Sequence, residues 1–88
     1  MRLKFQFETM KLDDRIVAVP VGDNVNEFRG VVKLNETSAY IFDLLKDETT
    51  EEKIVDAMEK EYDADRSVIA RDVKKIIAEF EEKGLLIR

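Results

Sequence analysis

The stretch from residue 30 to residue 45, GVVKLNETSAYIFDLL, changes its hydrophobic period in the middle. Its first residues, Gly30 to Leu34, are short and β-branched and fit a strand buried on one side. From Ala39 onwards the apolar residues recur at helical spacing. Asn35 stands between the two patterns, and its side-chain oxygen can accept a free backbone N–H at the start of a helix. The stretch therefore predicts a strand joined to a helix without a loop.

Two more strands are predicted upstream, over about residues 2–10 and 15–21, and the quoted strand extends back to cover about 27–34. The first of them alternates charged and apolar residues, which is typical of a strand with one buried face. The second is apolar on both faces until Pro20, which cannot donate to a ladder and marks an end or an unpaired position. Because the links between them are short and polar, the three strands are expected to form an antiparallel meander.

Three helices are predicted downstream, over about residues 36–46, 50–62 and 66–83. Thr49 with Glu52 fits a capping box for the second helix, and Asp65 or Ser67 can cap the third. Gly84 stands where a left-handed residue ends a helix, and Leu85 would then fold back onto Phe80. The prediction is one α+β domain over residues 1–88, with a three-stranded antiparallel sheet followed by a winged-helix-like bundle of three helices.

The composition removes most kinds of catalytic site. The 88 residues include no cysteine and no histidine, so thiolate chemistry and the commonest general base and metal ligand are missing. The acidic pairs are adjacent in sequence and fit turns and helix surfaces. We therefore expect no enzyme and no metal site. No apolar run approaches the roughly 18–20 residues of a membrane span, and a cytoplasmic protein is expected.

DNA binding is the first alternative, because a helix-turn-helix could place its last helix in the major groove. Phosphate contacts require cationic side chains. Residues 65–83 carry five Lys/Arg against five Asp/Glu, and residues 50–62 carry two Lys against five acids. The third helix is therefore neutral overall and the second is negative. Because a negative surface repels a duplex, the charge pattern disfavours this alternative.

The third strand is the remaining candidate site, because a three-stranded meander has two edges. Gly30 would allow another backbone to approach closely, and no proline blocks the strand. If this strand is an edge, it could accept an extended peptide by strand addition. An ordinary edge guarded by Arg29 and Lys33 fits the residues equally well.

An ordered set of motifs resembles the PqqD family. It starts with VVKLNETSAYIFDLL at residues 31–45 and continues with TEEKIV at 50–55 and EY at 61–62. It ends with DV at 72–73, II at 76–77, Phe80 and GLL at 84–86. The resemblance covers roughly residues 15–88. After the first helix the family usually has a small residue or glycine, where this chain has Lys46-Asp47-Glu48.

The resemblance implies a domain that binds the leader of a ribosomally made precursor peptide and presents it to a modifying enzyme, often a radical S-adenosylmethionine enzyme. Family members are not catalysts and need no cofactor. They hold the leader as an added strand between the third strand and the third helix. The candidate peptide-binding residues are then Phe28, Arg29, Gly30, Val31, Val32 and Lys33 on the strand, and Ile69, Asp72, Val73 and Ile76 on the helix.

Other interpretations of these residues remain open. Ile69, Val73 and Ile76 could be plain core residues, and Asp72 could be a solvated acid or could meet a basic leader residue. An adaptor that binds a folded protein through the same edge is a further alternative. Monomer and dimer are both compatible with the sequence, since an unfilled edge can pair with its own copy.

Overall fold

The computed structural model describes residues 1–22 and 30–88. Within these residues the chain forms five strands and three helices. The strands are β1 (Arg2–Leu3), β2 (Phe7–Leu12), β3 (Arg15–Pro20), β4 (Val32–Leu34) and β5 (Leu86–Ile87). The helices are α1 (Glu36–Leu44), α2 (Glu51–Glu61) and α3 (Arg66–Glu82). The predicted α+β order, a three-stranded antiparallel sheet followed by three helices, is confirmed.

The main sheet has the order β2-β3-β4, with both pairs antiparallel. Its inner face carries the buried side chains of Phe7, Ala18, Val32 and Leu34, which join the hydrophobic core. Its outer face carries Met10, Val17 and Lys33 in one cross-strand row. Alternation along each strand therefore separates the core face from the outer face, as the pleat requires.

The direction of the backbone groups in this sheet follows from one hydrogen bond. The N–H of Val21 donates to the C=O of Gln6 at 3.0 Å, so the odd-numbered residues of β3 bond to β2. The even-numbered residues of β3 then bond to β4, where they face Val32 and Leu34. Lys33 lies between these two and directs its N–H and C=O away from β3. By the same alternation, β2 directs the N–H and C=O of its odd-numbered residues away from the sheet.

The predicted strand at 2–10 is wrong as a single strand. Residues 4–6 interrupt it, and β1 pairs with β5 in a separate two-stranded sheet. The N–H of Leu3 donates to the C=O of Leu45 at 2.8 Å, and the N–H of Lys4 donates to the C=O of Leu85 at 2.7 Å. The start of the chain therefore bonds to the ends of α1 and α3 and not to β3. The predicted inward face still holds for Leu3 and Phe7, which are both buried.

The third predicted strand, 27–34, is shorter than expected in its described part. Residues 27–29 lie outside the described residues, and β4 begins only at Val32. In the register of the sheet, Gly30 would face Pro20, which has no N–H with which to continue the ladder. Gly30 itself has a φ of 101°, which is not a strand conformation. Glycine therefore serves here as a bend before the strand and not as a position within it.

The predicted helix caps are confirmed only in part. Asn35 caps α1 in a capping box with Ser38, whereas Asp65 is at the N-cap position of α3 but its side chain makes no capping hydrogen bond. The predicted cap of α2 at Thr49 is wrong, because Thr50 accepts the N–H of Lys53 at 3.1 Å. The backbone of Thr49 is used elsewhere: its N–H and C=O both bond to Met1.

Phe42 is fully buried and lies where the sheet meets the helices. Its ring makes edge contacts with Phe7 of β2 at 5.2 Å and with Phe80 of α3 at 5.6 Å between centroids. Around it lie the other large buried side chains, among them Ile41, Leu45, Ile54, Ile77 and Leu85. In residues 1–22 and 30–88, no helix has both the length and the apolar character that crossing a membrane requires.

Candidate functional site

Among the described residues, the outer side of β4 is a free sheet edge. No other described strand pairs with it, since the order of the sheet places β4 at one end. Lys33 directs its N–H and C=O to this side, and Val31, two residues earlier, would do the same in a continued strand. Two residues after Lys33 comes Asn35, whose N–H already donates to the hydroxyl of Ser38 at 2.9 Å. The capping box therefore ends the free edge at Lys33, where the helix begins.

A groove of about 350 Å³ runs beside this edge, between β4, the start of α1 and the exposed face of α3. The α3 residues in it are spaced three or four apart, so they share one face of the helix. It is lined by Lys33, Asn35, Thr37, Ser38, Asp72, Lys75, Ile76 and Glu79. A chain lying along β4 would therefore contact the strand edge and α3 together.

The structure brings three of the predicted residues into this groove, namely Lys33, Asp72 and Ile76. It places Ile69 and Val73 in the core, where they are 4% and 0% exposed, so their side chains do not line the groove. The plain-core alternative holds for these two because the period of α3 turns them towards α2 and the sheet.

The strand residues of the predicted site differ in their orientation. Val32 points into the core and is 2% exposed, whereas Val31 is 52% exposed. Gly30 is exposed and lies before the strand. Phe28 and Arg29 lie outside the described residues. Val32 does not contribute to the outer edge, since its side chain lies in the core and its N–H and C=O face β3.

Sequence reasoning missed five groove residues: Asn35, Thr37, Ser38, Lys75 and Glu79. Asn35 was expected only as a cap. A usable signal existed on α3, because residues 75 and 79 are three and seven positions after Asp72 and so fall on its face. No comparable signal existed for α1, since its place beside the groove depends on how β4 turns into the helix.

The groove carries balanced charge, with two lysines and two acids around one apolar side chain. The carboxylate of Asp72 lies 3.6 Å from the guanidinium of Arg71, and both side chains are at least half exposed. An exposed pair of this kind contributes little free energy. The carboxylate of Asp72 is therefore held only weakly by Arg71 at the side of the groove. The described residues contain no cluster of acids that could hold a metal ion.

A free strand edge beside a helix-walled groove defines a class of small α+β domains suited to accept an extended chain. The chain belongs to the PqqD family: residues 16–86 match the family model described as coenzyme PQQ synthesis protein D (PqqD). The resemblance predicted from the motifs is thereby confirmed. No curated protein sequence matches the chain significantly.

Two solved structures share the fold over almost the whole chain. One is TbiB1 in complex with the TbiA(beta) leader peptide, with a TM-score of 0.72 and 26% identity over 98% of this chain and 94% of that one. The other is lasso peptide synthetase B1 complexed with the leader peptide, with a TM-score of 0.70 and 22% identity over 99% of this chain and 96% of that one. At 22% identity, the second likeness concerns the fold alone.

Proposed function

We propose that this chain captures the leader segment of a ribosomally made precursor peptide by adding it as a strand to β4, beside α3. The observation that carries the proposal is the outward N–H and C=O of Lys33 on a free edge that borders a groove. Membership of the PqqD family supports it, and so does the leader peptide bound in the TbiB1 structure, which is 26% identical to this chain.

In such a complex the backbone gives affinity and the side chains give selectivity. Every second leader side chain would lie on the same face as Val32 and Leu34 and so point towards α3. There it would meet Ile76, which suits an apolar residue, or Asp72, which suits a basic one. The intervening side chains would lie on the outer face, beside Lys33.

The junction between β4 and α1 prepares the edge for binding. Leu34 is buried in the core, and Asn35 directly after it is fixed by two reciprocal bonds with Ser38, at 2.8 and 2.9 Å. A rigid edge loses little conformational entropy when it accepts a peptide, which improves affinity. We expect micromolar to submicromolar binding, or about −8 to −10 kcal/mol.

The chemistry of modification is assigned to a partner enzyme, and the family resemblance favours a radical S-adenosylmethionine enzyme. The chain has neither cysteine nor histidine to supply a nucleophile or base. Its role in this proposal is to hold the leader in one place while the enzyme acts on the remainder of the precursor. Cytoplasmic location is part of the same proposal, since precursor and enzyme are made there.

The test compares Lys33→Pro with Lys33→Ala, using the synthetic TbiA(beta) leader peptide and synthetic leaders of candidate precursors as probes. Both variants lose the lysine side chain, but only proline removes the outward N–H, and neither removes a bond to β3. We expect Lys33→Pro to bind at least about tenfold more weakly than Lys33→Ala, a difference of about 1.4 kcal/mol, by isothermal titration calorimetry. Equal binding by two folded variants would refute strand addition at β4.

A further inference from the structure

Over residues 8–12, β2 forms the other edge of the main sheet, which is also free among the described residues and borders a second groove. No described strand pairs with the outer side of β2. This strand is exposed along nearly its whole length, and the backbone groups of Thr9 and Lys11 point outward by the alternation established above. Met10 and Leu12 are 46% and 54% exposed, although edges are usually protected by charge.

The second groove, which we call the β2 groove, has a volume of about 410 Å³ and lies between β2, α1 and the end of α2. Its floor is apolar and aromatic. It is lined by Thr9, Met10, Lys11, Ile16, Glu36, Ala39, Tyr40, Asp43 and Tyr62. The rings of Tyr40 and Tyr62 meet edge to face at 5.8 Å, and the hydroxyl of Tyr40 donates to the C=O of Ala57 at 3.5 Å.

The helical wall of the β2 groove is acidic. Glu36 and Asp43 stand on either side of Tyr40 along the same face of α1. Burial is the main cause that raises the pKa of the Tyr40 hydroxyl, and the nearby carboxylate of Glu61 in α2 raises this pKa further. The opposing cations are Lys11 on the strand and Lys46, which pairs with Asp43 at 3.2 Å on the exposed surface. The wall opposite β2 therefore favours a cationic occupant.

We infer that the β2 groove is a second docking surface, which accepts an extended segment of alternating apolar and basic residues from the modifying enzyme. The identity of this partner rests on the proposed function. The segment would bond to the backbone of Thr9 and Lys11 and direct every second side chain onto Tyr40 and Tyr62. Since β2 and β4 are opposite edges of one sheet, leader and enzyme would flank the same three strands without competing for a surface.

The probe is a blocked synthetic decapeptide of alternating valine and lysine, with a valine–glutamate decapeptide as its charge control. Binding is followed by ¹H–¹⁵N spectra of the chain. We expect the largest shifts at Thr9, Lys11, Ala39 and Tyr40, and at least about tenfold weaker binding of the glutamate peptide. Equal binding of the two peptides, absence of binding, or shifts centred on Val31 and Lys33 would overturn the inference.

Two sets of variants locate the contact. Thr9→Pro removes an outward N–H of β2 that the sheet does not use, and Lys33→Pro is its matched control on the other edge. We expect Thr9→Pro to weaken the valine–lysine peptide at least about tenfold and Lys33→Pro to leave it unchanged. The double variant Glu36→Gln/Asp43→Asn alters only exposed charge and should weaken the peptide several-fold even if Thr9→Pro perturbs the fold. An unchanged affinity in the folded variants would overturn the inference.

Leader binding by Thr9→Pro separates this inference from the proposed function. If Thr9→Pro binds the leader normally and Lys33→Pro does not, the function at β4 stands whatever the outcome at β2. A second copy of the chain is the competing occupant of the β2 edge. A dimer in sedimentation equilibrium that Thr9→Pro dissolves would assign the edge to self-association and overturn the inference.

Discussion

At the scale of single residues, the end of α3 depends on a glycine in a left-handed conformation. Gly84 has a φ of 74°, its N–H donates to the C=O of Glu81 at 2.9 Å, and the N–H of Leu85 donates to the C=O of Phe80 at 3.0 Å. These two bonds form a Schellman motif. They turn the chain so that Leu85 is fully buried, as the sequence predicted.

Replacing Gly84 by alanine should destabilise the chain by about 1 kcal/mol, because an L-residue is strained in this conformation. A Cβ built at this position contacts nothing within 4 Å, so the cost is conformational and not steric. Gly84→Asn is the matched control and should cost less, since asparagine tolerates the left-handed region. The measurement is urea unfolding, and equal stabilities for wild type and Gly84→Ala would contradict the assigned conformation.

Glu81 provides a pH-dependent contact at the same end of the fold. Its carboxylate accepts from the Arg88 guanidinium, and this bond lowers the pKa of Glu81 below its ordinary value of 4.5. A lowered pKa in the folded state means that the contact stabilises above pH 4.5 and is lost as the pH falls through the folded pKa. Arg88→Gln should raise the pKa of Glu81 towards 4.5 in a carboxyl ¹³C titration. An unchanged pKa would show that the pair does not form in solution.

At the scale of elements, β4 is a strand of three residues whose backbone groups alternate between two sides. Val32 and Leu34 bond to β3, whereas Lys33 faces the free edge. In the free chain, the amide hydrogen of Lys33 should exchange with solvent faster than those of its two neighbours. Added leader should slow exchange at Lys33 selectively. Strong protection of Lys33 without peptide would mean that another segment already covers the edge.

The sequence predicted best those elements whose formation depends on residues close to one another along the chain. The start of α1 was predictable because Asn35 caps it through groups three residues away, and the period of α3 was predictable because Val73, Ile77 and Phe80 repeat on one face. Residues 2–10 alternate just as well, yet they form two strands in two sheets. Alternation specifies which side chains point inward, but it does not specify which strand lies alongside.

At the scale of the whole molecule, the sheet and the helices share one core centred on Phe42. Because its ring touches both β2 and α3, its loss would loosen both layers together. Phe42→Ala should destabilise the chain by about 3–5 kcal/mol. That is a large part of the total free energy of unfolding of a domain of this size, which is about 5–10 kcal/mol. Val68→Ala on the exposed face of α3 is the control and should change stability by less than about 0.5 kcal/mol in the same urea unfolding series. A small effect of Phe42→Ala would contradict the shared core.

The charge of the molecule is as uneven as its sequence indicates. Residues 35–88, which contain the three helices, carry nine Lys/Arg and fifteen Asp/Glu, while residues 1–34 are nearly balanced. Both grooves are lined partly by this acidic half: the groove at β4 has two lysines and two acids, and the β2 groove has Lys11 against Glu36 and Asp43. The proposed leader would therefore meet a neutral groove, and the proposed enzyme segment a net negative one.

The sequence by itself determined the order of strands and helices, the residues that point inward and the ends of α1 and α3. Each depends on side-chain periodicity or on groups within a few residues of one another, and such information is local. Tertiary structure alone decided that β1 pairs with β5, that Asp72 and Ile76 line a groove beside β4, and that no other described strand pairs with the outer sides of β2 and β4. These facts depend on which distant segments meet, and only the packing of the whole chain fixes that choice.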